Sequence, residues 1–227
     1  MALYAIGDTH LSLGTDKPMD VFGGSWEGYV DKLRDAFSAL SEEDTIVLCG
    51  DISWAMSLES AREDFAFLND LPGRKLIVKG NHDYWWNTVT KMKAFFVQNG
   101  FHKLDFLHNN CHFYGDTALC GTRGWFYEED AEPHSEKVFR RELIRLEASL
   151  QAAGDREKLC FLHYPPRYQG YSCPEILSLL EQYGVCACYY GHLHGASCSL
   201  AVDETVRGVA YTLISADHLA FVPKKIR

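Results

Sequence analysis

The chain reads as an α/β fold, and three observations carry that reading. Leu3 to Ile6, Ile46 to Cys49, Leu76 to Val78, Leu159 to Leu162 and Cys186 to Tyr190 are short continuous apolar runs, the pattern of strands covered on both faces. Between them lie stripes of apolar residues at helical spacing, which predicts βαβ units and a largely parallel sheet. Around residues 101–121, and again in the tail, short strand-like pieces follow one another with turn residues between, which predicts antiparallel pairing. One mixed sheet, or two sheets packed together, with helices on the flanks accounts for all three.

Each element follows from its residues. Trp26, Val30, Leu33, Phe37 and Leu40 fall on one helix face after the first strand, and Leu58, Ala61, Phe65 and Leu68 after the second. Val89, Met92 and Phe96 follow the third strand, Phe139, Leu143, Leu146 and Leu150 precede the Leu159 run, and Ile176, Leu177 and Leu180 precede the Cys186 run. Ser25, Ser57, Asn87 and Ser135 stand where N-caps are expected. His112 to Gly115 and Thr117 to Thr122, joined at Gly115-Asp116, predict a hairpin, and Ala196 to Val202 and Val209 to Val222 read as further strands. The segment from Arg123 to His134 has no periodicity, which marks a functional loop or a disordered one.

With 227 residues and no repeat, low-complexity tract or Pro/Gly-rich linker, the chain is expected to form a single domain over residues 1–227. A net charge of -9 argues against nucleic acid or anionic lipid as a partner, because both are held by clustered Lys and Arg. An anionic small molecule stays open if metal ions supply the positive charge. The first residues lack the basic and apolar segments of a secretory leader, and no apolar run approaches the roughly 18 to 20 residues that span a bilayer. The eight cysteines sit mostly in apolar stretches with no C-x-x-C pair, so a cytoplasmic location without a disulfide framework or zinc ribbon is expected. Cys186 and Cys188, two apart in an apolar run, are expected to face one side of a buried strand.

The polar residues fall where the strands end. The runs terminate in L-Y-A-I-G-Asp8-T-His10, I-V-L-C-G-Asp51, L-I-V-K-G-Asn81-His82-Asp83, L-C-F-L-His163 and C-Y-Y-G-His192-L-His194. In an open α/β sheet the carboxyl ends of the strands share one edge, so these segments are expected to converge there. Asp8 and His10, like His192 and His194, are two apart, a spacing that in extended chain points both side chains the same way. The candidate ligand set is Asp8, His10, Asp51, Asn81, His163, His192 and His194, more mixed N and O donors than one tetrahedral zinc accepts, whereas two ions sharing a carboxylate would use them all. Imidazole and carboxylate suit zinc, iron or manganese.

In the order D-x-H, G-D, G-N-H-D, H, G-H-x-H, from Asp8 to His194, the chain resembles the calcineurin-like metallophosphoesterases. The resemblance implies a four-layer α/β/β/α sandwich, two mixed β-sheets flanked by helices. It implies that Asp8, His10, Asp51 and His194 hold one divalent ion and Asp51, Asn81, His163 and His192 the other, with Asp51 as the bridge. The implied activity is hydrolysis of a phosphoester bond in a small phosphorylated or nucleotide substrate, as a phosphatase or phosphodiesterase, with a metal-held hydroxide as nucleophile. His82 is implied to hydrogen-bond the phosphoryl group or to protonate the leaving oxygen.

Departures from the family pattern narrow the choice. Protein phosphatases of that superfamily carry G-D-x-x-D-R-G, and here the stretch is G-D-I-S-W-A-M, with Trp54 and Ala55 in place of the second Asp and the Arg. The family's pyrophosphatases of nucleotide-linked lipid precursors share D-T-H-L-S, yet usually show Arg where this chain has His82. A nuclease lacks a basic stripe here, and a non-catalytic metal-binding scaffold is expected to have lost His82 or a ligand. Arg123, Arg167, Trp125, Phe126, Tyr127, Tyr164 to Tyr168, Trp85 and Trp86 are candidate pocket residues, the two arginines as phosphate contacts and at least one of the paired tryptophans as core. Asp83 is expected to orient a neighbouring His or to cap backbone amides in its turn.

Overall fold

Alternation along the strands decides which layer each side chain enters. The computed structural model of the chain describes residues 1–126 and 133–227, with side chains from residue 136 onward in the second stretch. In chain order the elements are β1 (Leu3–Ile6), α1 (Tyr29–Ser38), β2 (Thr45–Cys49), α2 (Arg62–Asp70), β3 (Arg74–Val78), α3 (Val89–Asn99), β4 (Leu104–Phe106), β5 (Cys111–Tyr114) and β6 (Thr117–Thr122). There follow α4 (Pro133–Gln151), β7 (Glu157–Leu162), β8 (Arg167–Tyr168), β9 (Tyr171–Ser172), α5 (Pro174–Gln182), β10 (Val185–Tyr190), β11 (Thr205–Val206), β12 (Val209–Leu213) and β13 (Lys224–Lys225).

One sheet has the order β13-β1-β2-β3-β4 and the other β11-β12-β10-β7-β6-β5. Strands β1 to β4 are parallel, as are β12, β10, β7 and β6; the antiparallel pairings of these two sheets are at their edges, with β13, β11 and β5, and β8 and β9 form a separate antiparallel pair. Leu3, Ala5, Val47, Cys49, Leu76 and Val78 of the first sheet meet Leu119, Leu159, Phe161 and Ile214 from the second. The alternate residues Ile6, Ile46, Leu48 and Ile77 face Leu33, Phe37, Phe65, Leu68, Met92 and Phe96 of α1, α2 and α3. On the far side Cys120, Cys160, Leu162 and Cys188 face Leu146, Leu150, Ile176 and Leu180 of α4 and α5. The result is the four-layer α/β/β/α sandwich, and each fully buried Leu, Ile or Phe contributes about 1.5–3 kcal/mol to it.

Several local expectations are corrected. Ser25 belongs to a 3₁₀ turn, and α1 starts later, after Gly28. Thr88 rather than Asn87 caps α3, its hydroxyl accepting from Lys91 N, and Ser135 lies inside α4. Ser57 opens the turn before α2, its hydroxyl accepting from Ser60 N (3.2 Å), but the helix begins at Arg62. Ala196 to Val202 is no strand: Gly195–Leu200 is a 3₁₀ helix, held by the Ser197 hydroxyl, which accepts from His194 N and donates to His194 O. The pairing of β10 with β7 slips between Val185 and Ala187, so Cys186 is exposed while Cys188 is buried, and the two do not share a face. All eight cysteines are free, and no helix among the described residues is long and apolar enough to cross a membrane.

Candidate metal centre

Because β1, β2 and β3 run parallel, and β7, β10 and β12 likewise, each sheet sends its strand ends to one edge, and the two edges meet. Gly7 joins them, donating its N–H to Ile214 O (2.7 Å) and bridging to Ser215. The turns beyond are laced together: Asp8 N donates to Gly50 O (2.8 Å), His10 N to Asp51 O (2.9 Å) and Gly191 N to His163 O (3.0 Å). Two glycines leave room for carboxylates. A Cβ on Gly80 would lie 2.0 Å from Asp51 Oδ1, and one on Gly191 would lie 2.3 Å from Asp8 Oδ2. Asp8, His10, Asp51 and His192 have φ of 60°, 44°, 51° and 73°, half of the eight non-glycine residues with positive φ among those described. Left-handed backbone of this kind costs energy, and here it gathers at the polar cluster.

The side chains form two groups, Asp8 with His10 and His194, and Asp51 with His163 and His192, each with its donor atoms within 4.8 Å of one another. In the first, His194 Nε2 lies 3.3 Å from Asp8 Oδ1 and 3.2 Å from His10 Nε2. In the second, His163 Nε2 is 3.5 Å from Asp51 Oδ2, and Asn81 Oδ1 sits 2.6 Å from His163 Nε2 and 3.0 Å from His192 Nδ1. Asp51 Oδ2 is also 3.9 Å from His10 Nε2, which puts it between the groups, and it is buried without a hydrogen-bond partner. An orphaned buried carboxylate oxygen among ring nitrogens fits a cation, since leaving it unmet is costly. The positive φ at His192 turns the chain, so His192 and His194 enter different groups, contrary to the expectation that their spacing points them the same way.

Burial and mutual repulsion set the protonation of these groups. Burial pushes the Asp51 carboxyl up to about 8, with Asp8 adding to the effect. On Asp8 burial pushes the same way, but His194, His163 and His10 outweigh it and hold the carboxyl below the usual carboxylate range. Burial lowers His10 to about 3 and His192 to about 4, and lowers His163 too. His194 alone rises, to about 10, because Asp8 and Asp217 overcome the effect of burial. Neutral imidazole is the form that ligates metal, and most of the ring nitrogens are held in it.

Around the cluster, partners fix the rings. Asp217 Oδ1 is 3.1 Å from His194 Nδ1, the carboxylate–histidine arrangement that orients a metal ligand, and Cys49 O is 3.0 Å from His163 Nδ1. Asp83 serves its own turn: its oxygens accept from Asp51 N (3.0 Å), Ile52 N (2.8 Å), Gly80 N (2.7 Å) and Trp85 Nε1 (3.0 Å). Trp85 is buried against Phe65, and Trp86 packs on Phe106 and His108. His82, at the rim, donates its backbone N–H to Asp51 Oδ1 (2.8 Å), and its ring lies 4.5 Å from Trp54 with Nδ1 3.4 Å from the Tyr84 hydroxyl. Trp54 also stacks on His10 at 5.0 Å, and Tyr164 covers His192 at 4.4 Å.

Other expected pocket residues lie elsewhere. Arg167 pairs with Glu204 (2.8 Å) and lies over Tyr211. Phe126 is buried against Tyr164 and Tyr171, and Arg123 lies over Trp125. Tyr127 and the rest of the aperiodic segment to residue 132 fall outside the described residues. Sequence reasoning missed Asp217, although Asp217 follows β12 as the other polar residues follow their strands.

The profile of the calcineurin-like phosphoesterase family matches residues 1–196, and the chain belongs to that family. It is accordingly a hydrolase acting on ester bonds. Among solved structures it is similar to the phosphopantetheinyl hydrolase of Mycobacterium tuberculosis, with TM-score 0.62 and 14% identity over 99% of this chain and 95% of that one. It is similar also to a protein of unknown function from Aquifex aeolicus (TM-score 0.53, 16% identity, 99% and 95% covered) and to one from Thermus thermophilus (0.56, 16%, 85% and 81%). At these identities the likeness is one of fold. No curated protein matches the chain by sequence.

Proposed function

We propose that the chain hydrolyses a phosphoester bond of a small phosphorylated or nucleotide substrate at a centre of two divalent ions, manganese, iron or zinc. Asp8, His10, Asp51 and His194 would hold one ion and Asp51, Asn81, His163 and His192 the other. The observation that carries this reading is Asp51 Oδ2, buried, unpartnered and between the two groups. Such ions, when bound, supply Lewis-acid charge and an activated water.

The chain's own residues do the rest. Burial holds His82 below the usual histidine range, with His163 and His194 adding to it, so the ring is neutral at neutral pH. If the Tyr84 hydroxyl donates to Nδ1, the proton sits on Nε2, the nitrogen available to a phosphoryl or leaving oxygen. Where protein phosphatases have an orienting carboxylate, Trp54 holds the ring by packing, which leaves His82 without a charge partner. Trp26, Trp54 and Tyr164 wall the cluster and limit water around the bound phosphate.

The test is metal analysis with turnover on a matched aryl phosphate monoester and diester. His82→Ala is expected to keep its metal and lose about 10²- to 10⁴-fold in turnover, whereas Asp51→Ala loses both. Unchanged turnover in His82→Ala removes that residue's role. Because a structural neighbour is a phosphopantetheinyl hydrolase, larger phosphate-linked groups and nucleotide-linked diphosphates belong in the second substrate panel.

A further inference from the structure

On the β4 and β6 side of the same edge lies a second polar cavity, about 360 Å³, lined by Lys79, Trp86, His108, Arg123, Glu142 and Arg145. The start of α3 forms part of its rim, at Asn87, Thr88 and Val89. Three cationic side chains therefore face a cavity with one carboxylate, in a chain whose net charge is -9. That carboxylate is already engaged. Glu142 Oε1 accepts from the Thr122 hydroxyl (2.6 Å) and Gly124 N (2.9 Å), and Oε2 lies 3.4 Å from Arg145 Nη1. Among the described residues no carboxylate pairs with Lys79 or Arg123, whose guanidinium lies over Trp125. His108 Nδ1 is buried and also lacks a hydrogen-bond partner.

We propose that this cavity is an oxyanion site for a phosphate-class group, separate from the metal cluster. The Lys79 ammonium and the Arg123 guanidinium, which converge without a carboxylate partner beside the Glu142-paired Arg145, match such an anion in charge and in donors, and the first N–H groups of α3 add to the positive field. The cavity adjoins the cluster through the chain itself. Lys79 stands two residues before Asn81, and Arg123 O accepts from His163 N (3.1 Å) and Tyr164 N (3.0 Å). The anion is then either a second phosphate on the substrate, a source that rests on the hydrolase reading above, or free phosphate, which does not.

Inorganic phosphate is titrated calorimetrically onto the full chain before and after chelation, in wild type, Lys79→Met, Arg145→Gln and the distant control Lys224→Met. One chelation-resistant site is expected in wild type and the control, weakened about ten- to a hundredfold in Lys79→Met and in Arg145→Gln. Lys79→Met keeps the Arg145–Glu142 pair, so a folding defect in Arg145→Gln does not decide the matter. Absence of that site in wild type, or its persistence in both variants, overturns the proposal, whether or not the chain hydrolyses anything. A second arm compares α,ω-alkanediol bisphosphates of increasing spacer with the matching monophosphates. A kcat/KM preference for one spacer that collapses toward unity in both variants assigns the anion to the substrate, and a ratio near unity at every spacer with the phosphate site intact assigns it to free phosphate.

Discussion

The two sheets bring unlike chemistry to their shared edge. The first delivers the oxygen donors, Asp8, Asp51 and Asn81, with His10 its one imidazole in the cluster, whereas the second delivers nitrogen alone, from His163, His192 and His194. Neither sheet alone holds the whole of either candidate group. The contacts between them already cross the seam, with His192 N donating to both oxygens of Asp8 at 3.0 Å and Cys49 O facing His163 Nδ1 at 3.0 Å. Packing of Leu3, Val47 and Val78 against Leu159 and Phe161 thus sets the distance between oxygen and nitrogen donors, which ties a hydrophobic interface to the geometry of a polar site.

The oxygen side also contains its own contrast. Asp51 and Asp83 are both buried, and burial pushes their carboxyls up, to about 8 and about 7. Asp51 Oδ2 is unpartnered, while Asp83 is saturated by backbone donors and the Trp85 indole. Asp83→Ala therefore leaves several buried N–H groups without an acceptor, and a loss of at least about 3 kcal/mol in urea unfolding is expected, with the metal site distorted as a consequence. A stable Asp83→Ala protein with normal metal content would break the contrast between a carboxylate that builds the turn and one left with an unpartnered oxygen.

A metal ion held as proposed, by donors from both sheets, would be linked to their docking. Chelation is expected to lower Tm by about 5 to 10 °C when the metal had been present at some hundred times its Kd. A chelated protein that melts where the loaded one does would separate the two sheets' stability from the site. Next in size is Asp217→Asn, which keeps the shape but weakens the partner of His194 on the nitrogen side. Metal affinity is expected to fall about 10- to 100-fold, read by competition with a chromogenic chelator.

Much of this division was legible in the sequence, and the reason is local. A buried strand is a run of apolar residues, so the polar residues within three positions of its end mark the sheet edge, and Asp8, Asp51, Asn81, His163 and His192 all stand there. The four-layer arrangement needed the family resemblance, since periodicity left one sheet or two open. What escaped depends on backbone turns and on distant partners. The separation of His192 from His194 arises from a left-handed φ that no two-residue spacing encodes, and Trp54 acquires meaning only where it meets His82 and His10. The two-residue strands β8, β9, β11 and β13 have too few residues for any period to appear.

The smallest expected effect separates the first sheet's stability from its chemistry. Lys75, on β3 far from the strand's ligand end, is fully buried, and its ammonium donates to Leu71 O at the opposite end of the sheet. Burial lowers it from the usual 10.5 to about 7, with Lys103 adding to the effect. Below about 7 both folded and unfolded chains carry the proton, so folding bears the full cost of burying the charge; between 7 and 10.5 only the unfolded chain holds it, and stability rises with pH. Lys75→Met is therefore expected to stabilise the chain by about 1 kcal/mol at pH 6.5, a net gain after the lost hydrogen bond, with the advantage gone and its sign reversed by pH 9.5 and metal content unchanged. An advantage that stayed constant with pH would assign the gain to packing rather than to the buried charge, and a change in metal content would show that the two ends of β3 are coupled.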